Sequence, residues 1–129
     1  MNLVPSTTGA SEAVVEVIPE LKGKLDGIAI RCPTVTGSVT DIAIKVKKDA
    51  TPEAINKLYS EVARYHLKGV LEFSNEPLVS TDIIGDPHSC IVDGMCTKVL
   101  NKRFVKMLAW YDNEWGYSCR MVDMLSILI

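Results

Sequence analysis

Apolar residues recur along the chain in two periods, and the change of period marks out its elements. Ala10, Ala13, Val14, Val17, Ile18 and Leu21 follow helical spacing directly after Pro5-Ser6-Thr7-Thr8-Gly9. Glu12 in the first turn suits the positive end of a helix, and Pro19 should end or bend it. The segment from Lys24 to Cys32 reads as a strand, with Ile28, Ile30 and Cys32 toward a core and Ala29 and Arg31 on the opposite face. Ser38 to Lys47 is a second strand. It sets Ile42, Ile44 and Val46 on one face and Asp41, Lys45 and Lys47 on the other.

Thr51-Pro52 predicts a helix start, with threonine as cap and proline in the first turn. Ile55, Leu58, Tyr59 and Val62 form its expected buried stripe. Strands are expected from Gly69 to Phe73 and at Leu78–Ser80, Cys90–Val92 and Thr97–Leu100. Gly85-Asp86-Pro87 and Asn101-Lys102 are turns. Phe104 to Tyr111 is apolar on both faces apart from Lys106, the pattern of a central strand. A last helix runs from about Gly116 to Ile129, and apolar residues surround it almost completely. Such a helix needs a covering surface that a small domain does not supply. Strands follow strands more often than they alternate with helices. The expected fold is α+β, a mixed and largely antiparallel sheet with helices on one face.

The chain has 129 residues, 47% of them apolar, and a formal net charge of -2. That is enough to bury a core. No basic block marks a nucleic-acid or membrane surface, and no apolar run is long enough for a transmembrane helix. Cys32, Cys90, Cys96 and Cys119 form no Cys-x-x-Cys pair, and no leader-like run opens the sequence, so free thiols in a reducing cytoplasm are expected. Each cysteine reads as a small apolar residue rather than a nucleophile. Asp82, Asp86 and His88 are explained by a turn, so no metal is expected; His66 suits a helix C-terminus.

Three places bear polar chemistry. The first turn after Thr8-Gly9 offers free backbone N–H groups and a partial positive charge, fit for an anion; ordinary capping is the simpler alternative. Arg31 can grip a phosphate with its planar fork, or be solvated. Asn113, where the central strand gives way to the last helix, can pair with a carboxamide or merely cap a turn.

Taken together, Leu3-Val4-Pro5-Ser6-Thr7-Thr8-Gly9-Ala10, Val17 to Leu25, Ala29-Ile30-Arg31-Cys32-Pro33-Thr34 and Trp110-Tyr111-Asp112-Asn113-Glu114-Trp115-Gly116-Tyr117-Ser118 resemble the phosphorylating, NAD-dependent glyceraldehyde-3-phosphate dehydrogenases of glycolysis, in that family's order and spacing. The resemblance implies an oxidation in which a cysteine thiolate attacks the aldehyde, a histidine acts as base, hydride passes to NAD, and inorganic phosphate releases an acyl phosphate. It implies that Thr8 and Gly9 bind inorganic phosphate and that Arg31 holds phosphate, either the substrate's own or the attacking one. By the same likeness Asn113 holds the nicotinamide carboxamide, and Tyr117 lies near that ring. Residues 1–114 then correspond to part of the catalytic domain. Residues 115–129 correspond to a helix that packs on a nucleotide-binding domain, within a homotetramer.

The departures matter too. No Gly-x-Gly-x-x-Gly, Ser-Cys-Thr-Thr-Asn-Cys or His-Ala-Tyr-Thr string occurs, so the likeness starts after the family's catalytic cysteine and base, and no catalytic residue is expected here. Cys32 stands where the family often has an aliphatic residue. The alternatives to an enzyme fragment are an inert interaction or assembly module and half of a split enzyme. NAD against NADP, and glyceraldehyde 3-phosphate against erythrose 4-phosphate, stay open.

Overall fold

A computed structural model describes all residues, Met1–Ile129. The chain forms two compact units, Met1–Val35 and Thr36–Ile129.

In the first unit, β1 (Val4–Ser6) pairs antiparallel with β2 (Ala29–Arg31), and α1 (Ala10–Val17) with a 3-10 turn at Pro19–Leu21 lies between them in sequence. Proline stops α1 as expected. The expected strand from Lys24 shrinks to three residues. The Lys24 N–H turns back to the Leu21 C=O, and the Asp26 side chain takes the Gly27 N–H, so the backbone before Ala29 is spent on local turns. The face expected to be buried is open: Ile28 and Ile30 are 74% and 55% exposed, and α1 buries none of its residues. A two-stranded ribbon with one short helix has too little surface to close a core.

The second unit is a four-stranded sheet of order β3-β6-β5-β4, made of β3 (Ser38–Lys45), β4 (Leu71–Ser74), β5 (Cys90–Leu100) and β6 (Phe104–Tyr111). β4 and β5 are parallel and the other pairs antiparallel, so the sheet is mixed, as expected for α+β. β6 is central, between β3 and β5. Its alternation sends Val105, Met107 and Ala109 to one face, where they are buried. Leu71, Val92, Val105 and Met107 form the core, with Ile42 and Val46 packed against it from the β3 side.

That face is covered by α2 (Pro52–Tyr65). Its cap is the expected one: Thr51 Oγ1 accepts the Ala54 N–H at 3.2 Å. Ile55, Tyr59 and Val62 reach the core, but Leu58 is 54% exposed and Ala63 packs there instead. The stripe is therefore rotated toward Ala63 relative to the one the apolar spacing suggested. Burial pushes the Tyr59 hydroxyl pKa up.

Two local expectations change. Residues 78–80 form no strand, because Asp82 folds them into a turn by accepting the Val79 N–H while its own N–H bonds the Val79 C=O. The two short strands expected between Cys90 and Leu100 are one strand, whose pairing with β6 shifts register between Asp93 and Lys98. Its turn into β6 is as expected: Asn101 and Lys102 take φ of 48° and 62°, and the Arg103 N–H closes onto Leu100 C=O. α3 (Trp115–Leu128) follows β6. Arg120 ties it to the sheet through the Gly69 C=O and Ser89 Oγ. Its apolar residues remain open, Ile127 and Leu128 at 76% and 77% exposure. No helix of the chain is long and apolar enough to cross a membrane.

Candidate functional site

Thr8 and Gly9 end the link from β1 and begin α1. Thr8 Oγ1 accepts the Ala10 N–H at 3.2 Å, so the capping alternative is realised. A hydroxyl that accepts keeps its own hydrogen, so Thr8 can still donate to a ligand. The Ala13 N–H bonds back to Gly9 C=O, and with Ala10 capped by Thr8 the Ser11 and Glu12 N–H groups of the first turn have no helical partner. Nothing lies within 4 Å of the place a Gly9 Cβ would take, so the approach to this backbone is open.

Arg31 closes β2 opposite Val4, while Ala29 lies opposite Ser6. Cross-strand partners share a face, so Arg31 projects on the side of Val4 and Ser6. It is exposed and makes no ion pair. The register places it four residues back from Thr8 along β1, at roughly 3.4 Å per residue. Thr8, Gly9 and Arg31 thus belong to the first unit, whereas Asn113 and Tyr117 belong to the second.

The second group of residues sits where β6 turns into α3. Asp112 is the anchor. Its carboxylate accepts the Glu114 and Trp115 N–H groups on Oδ1, at 3.0 and 2.9 Å, and the Gly85 N–H on Oδ2 at 2.8 Å. The residue is only 4% exposed. Donation from Trp115 first, then Gly85 and Glu114, outweighs desolvation and holds its pKa below the usual aspartate value. The Gly116 N–H bonds to the Asp112 C=O, so Asp112 acts as the helix cap although regular helix begins at Trp115. Gly116 lets this turn sit against the loop before β5: a Cβ there would meet the His88 carbonyl oxygen at 2.7 Å.

Asn113 stands exposed on this fixed turn. Its Oδ1 accepts the Ser38 hydroxyl at 3.1 Å, which leaves Nδ2 as a donor without a protein partner. Tyr117 lies one turn further along α3 and is likewise exposed. A shallow open depression lined by Thr36, Gly85, Asp112, Glu114 and Trp115 adjoins the turn, and the Thr36 hydroxyl is buried there without a hydrogen-bond partner.

Sequence reasoning missed the contacts that Asp112 and Ser38 make around Asn113. An aspartate three residues before the first turn of a helix is a readable cap signal. The Ser38 contact spans 75 positions and requires the β3–β6 register, so no local signal announces it.

The remaining candidates have other work. All four cysteines are free thiols. Burial raises the pKa of Cys90 and, foremost among its causes, that of Cys96, which disfavours the thiolate at both. Asp86 takes the His88 N–H and meets its Nδ1 at 2.8 Å, so this pair stiffens the turn before β5.

Comparison with known proteins agrees with these motifs. The family model described as glyceraldehyde 3-phosphate dehydrogenase, C-terminal domain, matches residues 1–113. A glyceraldehyde-3-phosphate dehydrogenase 2 of Bacillus subtilis is 49% identical over 124 residues, 96% of this chain and 36% of that protein. The glyceraldehyde-3-phosphate dehydrogenase of Mycobacterium avium is 49% identical over 128 residues, 99% of this chain and 38% of that protein. A glyceraldehyde-3-phosphate dehydrogenase 2 of Streptomyces avermitilis is 47% identical over 123 residues, 95% of this chain and 37% of that protein. The chain therefore spans little more than a third of the length of the relatives it matches, and it belongs to the glyceraldehyde-3-phosphate dehydrogenase family, whose C-terminal domain model it matches over residues 1–113.

Proposed function

We propose that this chain supplies the phosphate-holding and nicotinamide-positioning side of a glycolytic oxidoreductase. That enzyme would convert glyceraldehyde 3-phosphate, NAD and inorganic phosphate to 1,3-bisphosphoglycerate and NADH. The observation that carries the reading is Asn113, exposed on a turn pinned by Asp112, with its Oδ1 taken by Ser38 and its Nδ2 without a protein partner. A carboxamide carbonyl is a natural acceptor for that donor, so the residues fit a nicotinamide. When bound, NAD supplies the hydride acceptor.

The chain's own residues would bind and orient. Thr8 donates its hydroxyl to a phosphate oxygen, and the N–H groups behind Gly9 add positive potential. Arg31 offers a bidentate grip on a phosphate. Asn113 fixes the rotation of the nicotinamide, and Tyr117 flanks it. No thiol of the chain is assigned as nucleophile. We propose that the thiolate, the base and the nucleotide-binding domain come from the N-terminal part that the relatives possess. We also assign to that part the covering of α3's apolar faces, within the homotetramer of the intact family, in the cytoplasm. The exposed α3 also favours a second reading, a catalytically inert assembly module, but strong likeness at the site strings weighs against it.

Two measurements test the proposal. The chain alone, given aldehyde, NAD and phosphate, is expected to produce no NADH absorbance, since holding phosphate without a nucleophile leaves the chemical step unassisted; robust turnover would refute it. Arg31→Ala should weaken phosphate binding by calorimetry, and an isotherm identical to that of the parent chain would remove Arg31 from the site.

A further inference from the structure

We propose that Ser38 is a positioning residue for Asn113: its hydroxyl holds the Asn113 side chain so that Nδ2, the donor edge, is the one offered to a ligand carbonyl. The inference rests on the reading of Asn113 as a carboxamide partner and extends it to a residue to which that reading assigns no part.

Both ends of the contact stand on backbone that is pinned elsewhere. Ser38 is the first residue of β3 and lies in register with Tyr111, the last residue of β6. The chain leaves β6, makes the Asp112 turn, and brings Asn113 back beside the start of β3. On the β3 side, Gly37 takes φ +88°, a left-handed conformation suited to glycine. A Cβ on Gly37 would meet Ile83 Cδ1 at 2.9 Å, and Ile83 is fully buried. Ser38 is therefore delivered by a glycine wedged against the packed interior. On the other side, the three N–H bonds to Asp112 fix the peptide that leads into Asn113. With both backbones fixed, the 3.1 Å bond between Ser38 Oγ and Asn113 Oδ1 restrains the remaining side-chain rotation.

The direction of that bond sets what the site accepts. An asparagine amide carries an acceptor on one edge and donors on the other. Ser38 occupies the acceptor edge, so the free edge donates. A ligand group with a carbonyl suits it, and one that presents only donors does not. Losing Ser38 would restore rotation about the last side-chain bonds, and a ligand would then have to order them again.

The test is nuclear magnetic resonance of the full chain, labelled to report the Asn113 side-chain carbonyl carbon and amide nitrogen. In the parent chain the carbonyl resonance should be displaced from the position of a free asparagine. Ser38→Ala should return it there, and Ser38→Thr, which keeps the hydroxyl, should restore the displacement. Backbone resonances of Glu114 and Trp115 serve as the folding control. An Asn113 carbonyl already at the free position in the parent chain, or unmoved by Ser38→Ala while the fold is intact, overturns the proposal. Adding saturating NAD to the same samples, each complexed with the N-terminal, nucleotide-binding part of a relative, separates the two claims. A response of Asn113 that is lost in Ser38→Ala and recovered in Ser38→Thr supports the positioning role, and an equal response in all three overturns it. A Ser38-dependent shift with no response of Asn113 in any complex that has bound NAD upholds the anchor and sinks the carboxamide reading alone.

Discussion

Asp112→Ala should be among the most damaging single changes in the second unit. The substitution removes a carboxylate that is 4% exposed and receives three backbone N–H groups. Hydrogen bonds to a charged group contribute roughly 1.5–3 kcal/mol each. The three share one acceptor and are not independent, so the expected loss is about 3–5 kcal/mol rather than the full sum. Domains of this kind hold on the order of 5–15 kcal/mol in total. Asp112→Asn should cost less, about 2 kcal/mol, because one oxygen can still accept from Glu114 and Trp115 while the amide nitrogen opposes the Gly85 N–H.

The difference between aspartate and asparagine also has a pH signature. The folded-state pKa of Asp112 is depressed by its N–H donors, Trp115 first. Its ionised form therefore contributes stability that is fully present above the unfolded value of about 3.9. That contribution is lost as the pH falls through the lower folded value. The gap between the parent chain and Asp112→Asn should hold from pH 7 down to about 4 and close below it. Urea denaturation followed by tryptophan fluorescence measures both effects, since Trp115 donates one of the bonds concerned. The reasoning fails if Asp112→Ala lies within about 1 kcal/mol of the parent at pH 7, a difference too small for three charge-assisted bonds. It fails equally if the gap to Asp112→Asn stays constant through the acid range.

Two further substitutions probe the sheet that carries this turn. Gly94→Ala places a Cβ 2.4 Å from Asn75 Oδ1 and 2.6 Å from Phe73 Cζ; it should destabilise by about 1–3 kcal/mol, seen as a lower melting temperature. Met107→Ala empties a fully buried position at the centre of the core. It should lower stability by about 2–5 kcal/mol in the same urea titration, and an unchanged midpoint would place the core elsewhere.

The sequence speaks clearly where one period repeats and burial enforces it. β6 holds the central place its apolar pattern predicts, and Ile42 of β3 meets Met107 on the α2 side of a paired register, although Ile44, expected on the same face, is 40% exposed. The Thr51 cap is legible because its chemistry is local. Legibility falls where a distant partner satisfies a residue. Two short strands are expected at Cys90–Val92 and Thr97–Leu100, and Asp93 lies between them. Its carboxylate is instead taken by Trp110 Nε1 and the Cys96 N–H, and one strand runs through the irregular pairing. The candidate site residues divide along the same line. Thr8, Gly9 and Asn113 announce themselves by their place at element ends, whereas Ser38 acquires its part only from the register of β3 against β6.

Apolar periodicity states that a face must be covered without naming the cover. In the β3–β6 sheet the cover is α2, from the same unit, and the expectation closes on itself. For Ile28 and Ile30 in β2's segment, and for Ile127 and Leu128 in α3, the pattern is as strong and the faces are open. Open apolar faces of this extent are unfavourable in water and mark surfaces meant for a partner. The chain accounts for little more than a third of its relatives' length, so the rest of the enzyme is the partner we propose for both units. On that reading, the surfaces left uncovered and the missing nucleophile have one cause.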